Sequence, residues 1–489
     1  MSTIIIKQFI GLIPIFILFI AALIGIFSIA IKRNHIFVYI ISVIGFIISI
    51  LSMFFVCQII PIDIGMLFYI NHYSILYMSI IIISGIITII LAYPYLLHYK
   101  FNKEEFYLLL LFSTLGSMVV AISNHLISIF ISIELMSFPI LGLIGYEYFQ
   151  YKSLEAALKY MILSGFSSIC LLLGIALIYY VSGSLNLIDI GNTLIFNSIY
   201  NNNIIILLGL SLILVSFIFK LSIVPFHLWT PDVYEGSSYV VLFFVSSVGK
   251  IAVFSLLSRL FLYIPNSKIS LIYLILEFMS FISIVFGSVM MLFQKNIKRL
   301  LAYSSISNLG YLLITVIYIN NQYISLITIG LFTLSYILSN AVFLGSISSI
   351  SIKNEQKDID YIKFYRGIFW RHPIIAIMLT IALFSFASIP MSIGFFGKFY
   401  LMLLIVSKKS LLLGFGIVLG SIIGLYCYLQ VILSFYLKSS ELLSNNKLFN
   451  SFKLTVLNIL IIILSTIIVL FGIYPTYLIE LFGNIQWLL

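Results

Sequence analysis

Charge is what this sequence has least of: 8% of its 489 residues are Asp, Glu, Lys or Arg, while 63% are hydrophobic. The mean hydropathy is +1.23. Water-soluble domains are nearer a quarter charged, so a soluble fold is excluded. Cysteine is also scarce. Cys57, Cys170 and Cys427 stand isolated inside apolar runs. There is no CxxC pair and no His/Cys cluster at metal spacing, so the sequence offers no iron–sulfur, haem or zinc ligands. Each cysteine reads as a small buried hydrophobe. Long polar stretches are missing too. The largest connector, 352–372, is short and basic, too small for a domain that binds DNA, a nucleotide or a flavin.

What is there is one apolar run after another, each near the roughly 20 residues that a spanning helix needs. About fourteen spans are expected, over 8–31, 36–60, 73–97, 105–123, 125–146, 156–181, 203–226, 238–264, 270–293, 300–319, 324–351, 373–402, 411–437 and 455–482. Barrel strands alternate in polarity and these runs do not, so the expected class is an all-α polytopic membrane protein, one membrane domain over 1–489. The first run follows Lys7, is longer than a signal-peptide core and lacks a small-residue cleavage site; it is expected to be retained.

Basic residues fall unevenly between alternate loops. One set holds Lys32, Arg33, Lys100, Lys103, Lys152, Lys295, Lys298, Arg299, Lys353, Lys357, Lys363, Arg366, Arg371, Lys438, Lys447 and Lys453. The other holds Lys7, Arg259, Lys268, Lys408 and Lys409. The richer set belongs in the cytoplasm by the positive-inside rule, which puts both termini outside. The formal net charge of +10 is then mostly an orientation signal, not a nucleic-acid surface.

Four lysines remain: Lys159, Lys220, Lys250 and Lys398, all within apolar spans, as is Glu134. An ionisable group in hydrocarbon costs roughly 3 kcal/mol by insertion scales, so each needs a reason. Lys159 lies within a turn of its helix start, four residues after Glu155, and could snorkel to the interface. Lys250 is about twelve positions into its span, where snorkelling is poor. A structural ion pair with Glu134 is one alternative. The functional reading is a proton relay, because burial lowers a lysine's affinity for its proton and a nearby carboxylate restores it. Lysine suits that task, whereas arginine stays protonated.

Two spans are broken by proline. Pro225, in FIFKLSIVPFHLW, cannot donate to the carbonyl of Leu221, next to Lys220. Pro390, in FSFASIPMSIGFFGKFY, frees the carbonyl of Phe386; Gly394 and Gly397 loosen the approach to Lys398, two helical turns beyond the proline. Open backbone at membrane depth is tolerated only against protein or a hydrated cavity. The doubling suggests inverted five-helix repeats over 105–264 and 270–437, with 455–482 as a closing helix. The second half shows no partner for Glu134, and Gln430 stands where a second central lysine is expected. His227 is either a carrier between Lys220 and Lys250 or an interfacial cap on the broken helix.

The segment FKLSIVPFHLWTPDVYEGSS with VGKIAVF, together with EEFYLLLLFSTLGSMVVAISNHLISIFISIELMSFPI, SLEAALKYMILSG and YRGIFWRHPIIAIMLTIALFSFASIPMSIGFFGKFYLM, resembles the antiporter-like proton-translocating subunits of respiratory complex I. The resemblance covers most of 90–437. It implies fourteen helices in inverted repeats. It also implies that Glu134, Lys159, Lys220, His227, Lys250 and Lys398 take part in proton translocation, around breaks at Pro225 and Pro390. It places NADH, FMN, iron–sulfur clusters and quinone on or with other subunits. Implied partners are other membrane-arm subunits, the lipid bilayer, protons and water, in a bacterial inner membrane or, if organelle-encoded, the mitochondrial inner membrane. Three departures stand out. Ser237, Ser238 and Tyr239 replace the usual prolines after VYEG; Asn308 replaces a common histidine; Gln430 replaces a common basic residue. A subunit of a multi-chain Na+/H+ antiporter, or a membrane scaffold, are the alternatives the residues leave open.

Overall fold

The computed structural model describes residues 2–97, 99, 102–196, 203–264, 270–319, 322–351, 360–437 and 455–483. Lys100, Lys268, Lys353, Lys357, Lys438, Lys447 and Lys453, counted above as loop charges, lie outside the described residues.

The apolar runs become helices because hydrocarbon leaves backbone polar groups no partner but each other. The chain opens with α1 (Ser2–Ile31) and α2 (His35–Cys57), then a hairpin of β1 (Ile62–Ile64) and β2 (Phe68–Ile70). Next come α3 (His72–Leu97), α4 (Glu104–Ile122), α5 (Leu126–Ile144), α6 (Tyr151–Ser182) and the short α7 (Leu187–Phe196). The first broken span is α8 (Asn203–Lys220) followed by α9 (Trp229–Gly236). Then α10 (Tyr239–Phe244), a π-helical turn over Val245–Gly249, and α11 (Lys250–Tyr263) run as one rod. Beyond lie α12 (Ser270–Leu292), α13 (Ile297–Ile317), α14 (Gln322–Ser351) and α15 (Ile368–Arg371). The second broken span is α16 (Pro373–Ala387) and α17 (Ile393–Lys408), followed by α18 (Leu411–Tyr436), α19 (Val456–Ile473) and α20 (Thr476–Gly483).

Among the described residues, 12 helices are long and apolar enough to cross a membrane. The two remaining expected spans, 203–226 and 373–402, are the interrupted ones. Helix starts follow side-chain capping: Asn34, His125, Ser238, Asn296 and Thr455 each accept a backbone N–H of the following turn. Ser238 therefore starts its helix by a cap, where the resemblance leads one to expect proline.

Burial sorts the helices. The most apolar stretches of α10–α11, α13 and α14 are 94% buried, whereas those of α1, α6 and α19 are 33% buried. The first three form the inner row and the others present apolar side chains outward, as a lipid-facing ring requires. Lys250, Ser305, Asn308 and Tyr336 all sit on the inner row.

The connectors gather into two caps. At one end Phe68 pairs with Ser123 and His125 with Asn186, while Asn124 N–H donates to Leu67 O at 3.0 Å. At the other, Asn296 pairs with Tyr361, Ile297 N–H donates to Asp360 O at 2.7 Å, and Gly367 N–H donates to Ser434 O at 3.1 Å. Each cap joins only connectors that alternate counting assigns to the same side.

Two buried cations correct the loop count. Arg259 is 2% exposed inside α11 and Lys298 is 3% exposed near the start of α13. Both were read as loop charges, because each lies within a turn or two of a span's end. Cys57 is exposed at the end of α2, contrary to the expectation of a buried thiol.

Candidate functional site

The first break delivers two groups to the protein interior. Helix α8 stops at Lys220, and Ser222 takes a left-handed φ of 58° before Pro225. Freed carbonyls find local partners: Trp229 Nε1 donates to Phe219 O at 2.9 Å, and Ile223 N–H reaches Ile218 O at 3.1 Å. The Lys220 ammonium is buried without a hydrogen-bond partner and lies 5.5 Å from the centre of the Tyr160 ring. Glu134, on α5, is the acid whose charge acts on it. One Glu134 oxygen is buried without a partner, and the other accepts from Ser137 Oγ at 3.3 Å. The two groups attract at a distance instead of forming a closed ion pair.

Lys250 is 1% exposed. Its ammonium donates to Ser222 Oγ of the break and to Ser305 Oγ of α13, each at 2.9 Å, and sits 5.1 Å from the Tyr234 ring centre. The helix here is not the uninterrupted α-helix expected. The π turn ends immediately before Lys250, and such turns often mark functional positions. Beyond Ser305, the hydroxyls of Tyr234 and Tyr336 gather close to it and to each other.

The second break behaves differently from the sequence reading. Residues 388–392 leave the helix, with Ser388 at φ 60° and Met391 at φ 72°, so Pro390 and Lys398 are not two turns apart on one rod. Gly394 tightens the break instead of loosening it: a Cβ there would lie 2.0 Å from Ser385 O. The freed Phe386 carbonyl does turn toward Lys398, whose Nζ approaches it at 3.5 Å and lies 4.9 Å from the Tyr311 ring centre. A cavity of about 10 Å³, room for about one water, lies beside this lysine, lined by Asn308, Tyr336, Ser339, Ser385 and Gly394 among others. Ser339 Oγ donates to Ser385 Oγ at 2.7 Å. Tyr336 therefore borders both the Lys250 group and the Lys398 pocket.

Asn308 fills its position by donating weakly to Ser304 Oγ at 3.5 Å. Gln430 is exposed on the outer side of α18, while buried Tyr428 from that helix meets Ser304 Oγ at 2.5 Å. The position expected to hold a second central lysine thus faces away from the row. His227 is buried with its Nδ1 unpartnered and its ring 4.8 Å from that of Phe286. Ser222, not His227, makes the contact between the first break and Lys250.

Lys159 stands apart from the other lysines. Its side chain is 42% exposed and pairs with Glu155 at 2.7 Å and Asp232 at 2.6 Å. The network continues from Asp232 to Arg299 at 3.1 Å, from Arg299 to Glu235, and from Glu235 to Lys152 at 2.7 Å. Burial opposes ionisation of Glu235, but hydrogen bonds from Lys152 and Arg299 outweigh it and hold the carboxyl below its ordinary value.

Ser222, Ser305, Tyr234 and Tyr336 were not singled out from sequence. Hydroxyls are common in apolar helices and carry no signal until two spans bring them to one ammonium.

Residues 123–424 match the transmembrane family described as NADH:quinone oxidoreductase/Mrp antiporter. NADH-quinone oxidoreductase subunit N of Buchnera aphidicola subsp. Acyrthosiphon pisum (strain APS) is 45% identical over 477 residues, 97% of this chain and 98% of that protein. Its counterpart from Buchnera aphidicola subsp. Schizaphis graminum (strain Sg) is 46% identical over 484 residues, 98% and 99% of the two chains. In fold, the chain is similar to one in respiratory complex I from Thermus thermophilus, with a TM-score of 0.80 and 24% identity over 96% of this chain and 98% of that one. A chain of an archaeal membrane-bound sulfane sulfur reductase gives a TM-score of 0.85 and 21% identity, over 98% of this chain and 97% of that one. A chain of the Mrp complex from Dietzia sp. DQ12-45-1b gives 0.80 and 16%, with the same coverage.

Proposed function

The chain belongs to the subunit N family of NADH–quinone oxidoreductase, the proton-translocating membrane subunits of complex I, and from that premise we propose that Glu134, Lys220, Lys250 and Lys398 are its proton-carrying row. The observation that carries the reading is Lys250, whose ammonium is buried and held by one serine from the first break and one from the second half. A lysine so placed is matched by hydroxyls and not by an opposite charge, so its protonation answers to any charge that arrives nearby.

A proton held between Glu134 and Lys220 passes to Lys250 by way of the Ser222 hydroxyl and water. From Lys250 it moves along Ser305 and the Tyr234 and Tyr336 hydroxyls toward the Lys398 pocket. Hydroxyls serve here because each both donates and accepts. Lys159, paired at the surface, belongs to the entrance and not to the row. His227 borders the row on the break, its ring packed against Phe286. The two halves, 105–264 and 270–437, are read as inverted copies; α4 packs on α5 and α11 as α12 packs on α13 and α18.

The chain is a subunit of an enzyme complex, alongside other membrane-arm subunits. NADH, FMN, the iron–sulfur clusters and quinone are assigned to those neighbours, which pass energy to this chain along the membrane. The basic connectors face the cytoplasm of a bacterial inner membrane in this reading.

The test is NADH-driven proton uptake by inverted membrane vesicles carrying the assembled complex. Lys220→Ala and Lys250→Ala are expected to lower it severely at normal complex content. Undiminished pumping in both variants would leave the lysines a purely structural role. Recovery with antiporter chains alone, without NADH dehydrogenase activity, would refute the complex I assignment.

A further inference from the structure

The start of α13 holds a buried lysine that the proton-carrying row does not use. Lys298 is 3% exposed. Its ammonium donates to Ser237 O at 2.9 Å, pairs with Asp360 at 3.3 Å and lies 4.6 Å from the Tyr239 ring centre. Asp360 is fixed in turn, because its carbonyl accepts Ile297 N–H at 2.7 Å and the next residue, Tyr361, pairs with Asn296. A charge buried this deeply is costly unless hydrogen bonds and an opposite charge make up for the lost water. Orientation does not call for it, since an exposed basic residue in the same connector would serve the positive-inside rule equally well.

What Lys298 grips supplies the reason. Ser237 ends α9 and is followed by Ser238, the cap from which α10 starts. From there α10, the π turn and α11 continue as one rod to Lys250. Arg299, the residue after Lys298, holds Asp232 and Glu235 of α9, so the first turn of α13 grips both α9 and the junction beyond it. The same helix meets the rod again at Ser305, whose Oγ accepts from the Lys250 ammonium at 2.9 Å. Lys298 and Ser305 are seven residues apart, two turns of helix, so both lie on one face of α13 with roughly 10 Å of rise between them. The two attachments bracket the π turn at Val245–Gly249, where the rod departs from the α-helical ladder. A slip of one residue there would rotate the rod by about 100° and carry Lys250 away from Ser222 and Ser305.

We propose that Lys298 is a positioning residue for proton transfer: by tying the α9–α10 junction to α13 and to Asp360, it sets the rotation at which Lys250 meets Ser222 and Ser305. Its action passes through the Ser237 carbonyl and along the rod. The inference rests on the reading of Lys250 as a carrier, and the experiment separates the two.

NADH-driven proton uptake by inverted vesicles is measured per assembled complex. Lys298→Met keeps the length of the side chain and loses its donors; a several-fold loss of uptake per complex is expected. Lys298→Arg can donate to the same carbonyl and carboxylate and should restore most of the parent's uptake. Asp360→Asn leaves the lysine in place and removes its counter-charge at a partly exposed position. It should give a smaller loss in the same direction, which covers a methionine variant that fails to assemble. In a Lys250→Ala background neither substitution should lower the residual uptake further, because the residue they position is gone. Parent-like uptake per complex in every variant that assembles, Asp360→Asn included, overturns the inference and leaves Lys298 a residue of folding alone. Losses that multiply in the double variants overturn it too, since Lys298 would then act by a route other than Lys250. Whether Lys250 carries pumped protons is read separately, from Lys250→Ala alone: a loss there beside parent-like Lys298→Met and Asp360→Asn refutes only the positioning role.

Discussion

Lys159 and Lys250 already differ in the sequence, one within a turn of its helix start and four residues after Glu155, the other deep in its span, and the structure gives each a distinct environment. Lys159 is paired twice at a surface, and exposed ion pairs contribute only about 0.2–1 kcal/mol. Lys250 meets two hydroxyls in a closed interior. Lys250→Ala should therefore cut NADH-driven pumping by about tenfold, a change of about 1.4 kcal/mol in the rate-limiting barrier, while Lys159→Ala loses less than half; proton uptake by inverted vesicles at matched complex content decides it. Equal losses would move Lys159 into the row. Much of this was legible beforehand, since an ionisable residue inside an apolar run is visible from one sequence. Partners were not. Ser222, Ser305 and Tyr336 lie on three different elements, and only packing brings their hydroxyls to one file. Arg259 was visible as a letter, but its nearness to a span's end disguised a buried residue as a loop charge.

At the scale of elements, both proline breaks were legible because proline removes a donor wherever it stands. Their geometry was not. The first break is a turn that carries Ser222 to Lys250, and the second is a close approach that admits only glycine at 394. Gly394→Ala would force its Cβ against Ser385 O, and overpacking of this kind costs roughly 1–3 kcal/mol. Assembly yield and thermal stability of the complex should both fall, whereas Gly165→Ala, where a Cβ meets open space, should leave both unchanged. Helix α9 is fixed from outside by ion pairs. Glu235 titrates below its ordinary value in the folded chain, so its contribution is present above the unfolded pKa and is lost as pH falls through the folded one. The thermal midpoint of Glu235→Gln should thus lie below the parent's near neutrality. The gap should close as pH drops into the carboxylate range; a gap that widens on acidification would contradict the ion-pair account.

For the whole molecule, orientation joins two independent lines. Charge bias predicts that the basic connectors lie inside, and the contacts among connectors sort them into two caps without reference to charge. The hairpin, residues 123–125 and residues 185–187 close one end, and the connectors around Lys295, Asp360 and Gly367 close the other. Of the basic residues first counted, Arg259 on the outer side and Lys298 on the inner side prove buried, which leaves the bias standing. Single cysteines report the sidedness directly. With exposed Cys57 replaced by serine, Met66→Cys at the hairpin tip and Phe149→Cys after α5 give two well-exposed sites, 79% and 64% accessible in the parent chain. A membrane-impermeant maleimide should label Met66→Cys in intact spheroplasts and Phe149→Cys only in inverted vesicles. Labelling of both from one side would contradict the sorting of the caps. The exchanged pattern would turn the protein over in the membrane, against the charge bias of its connectors.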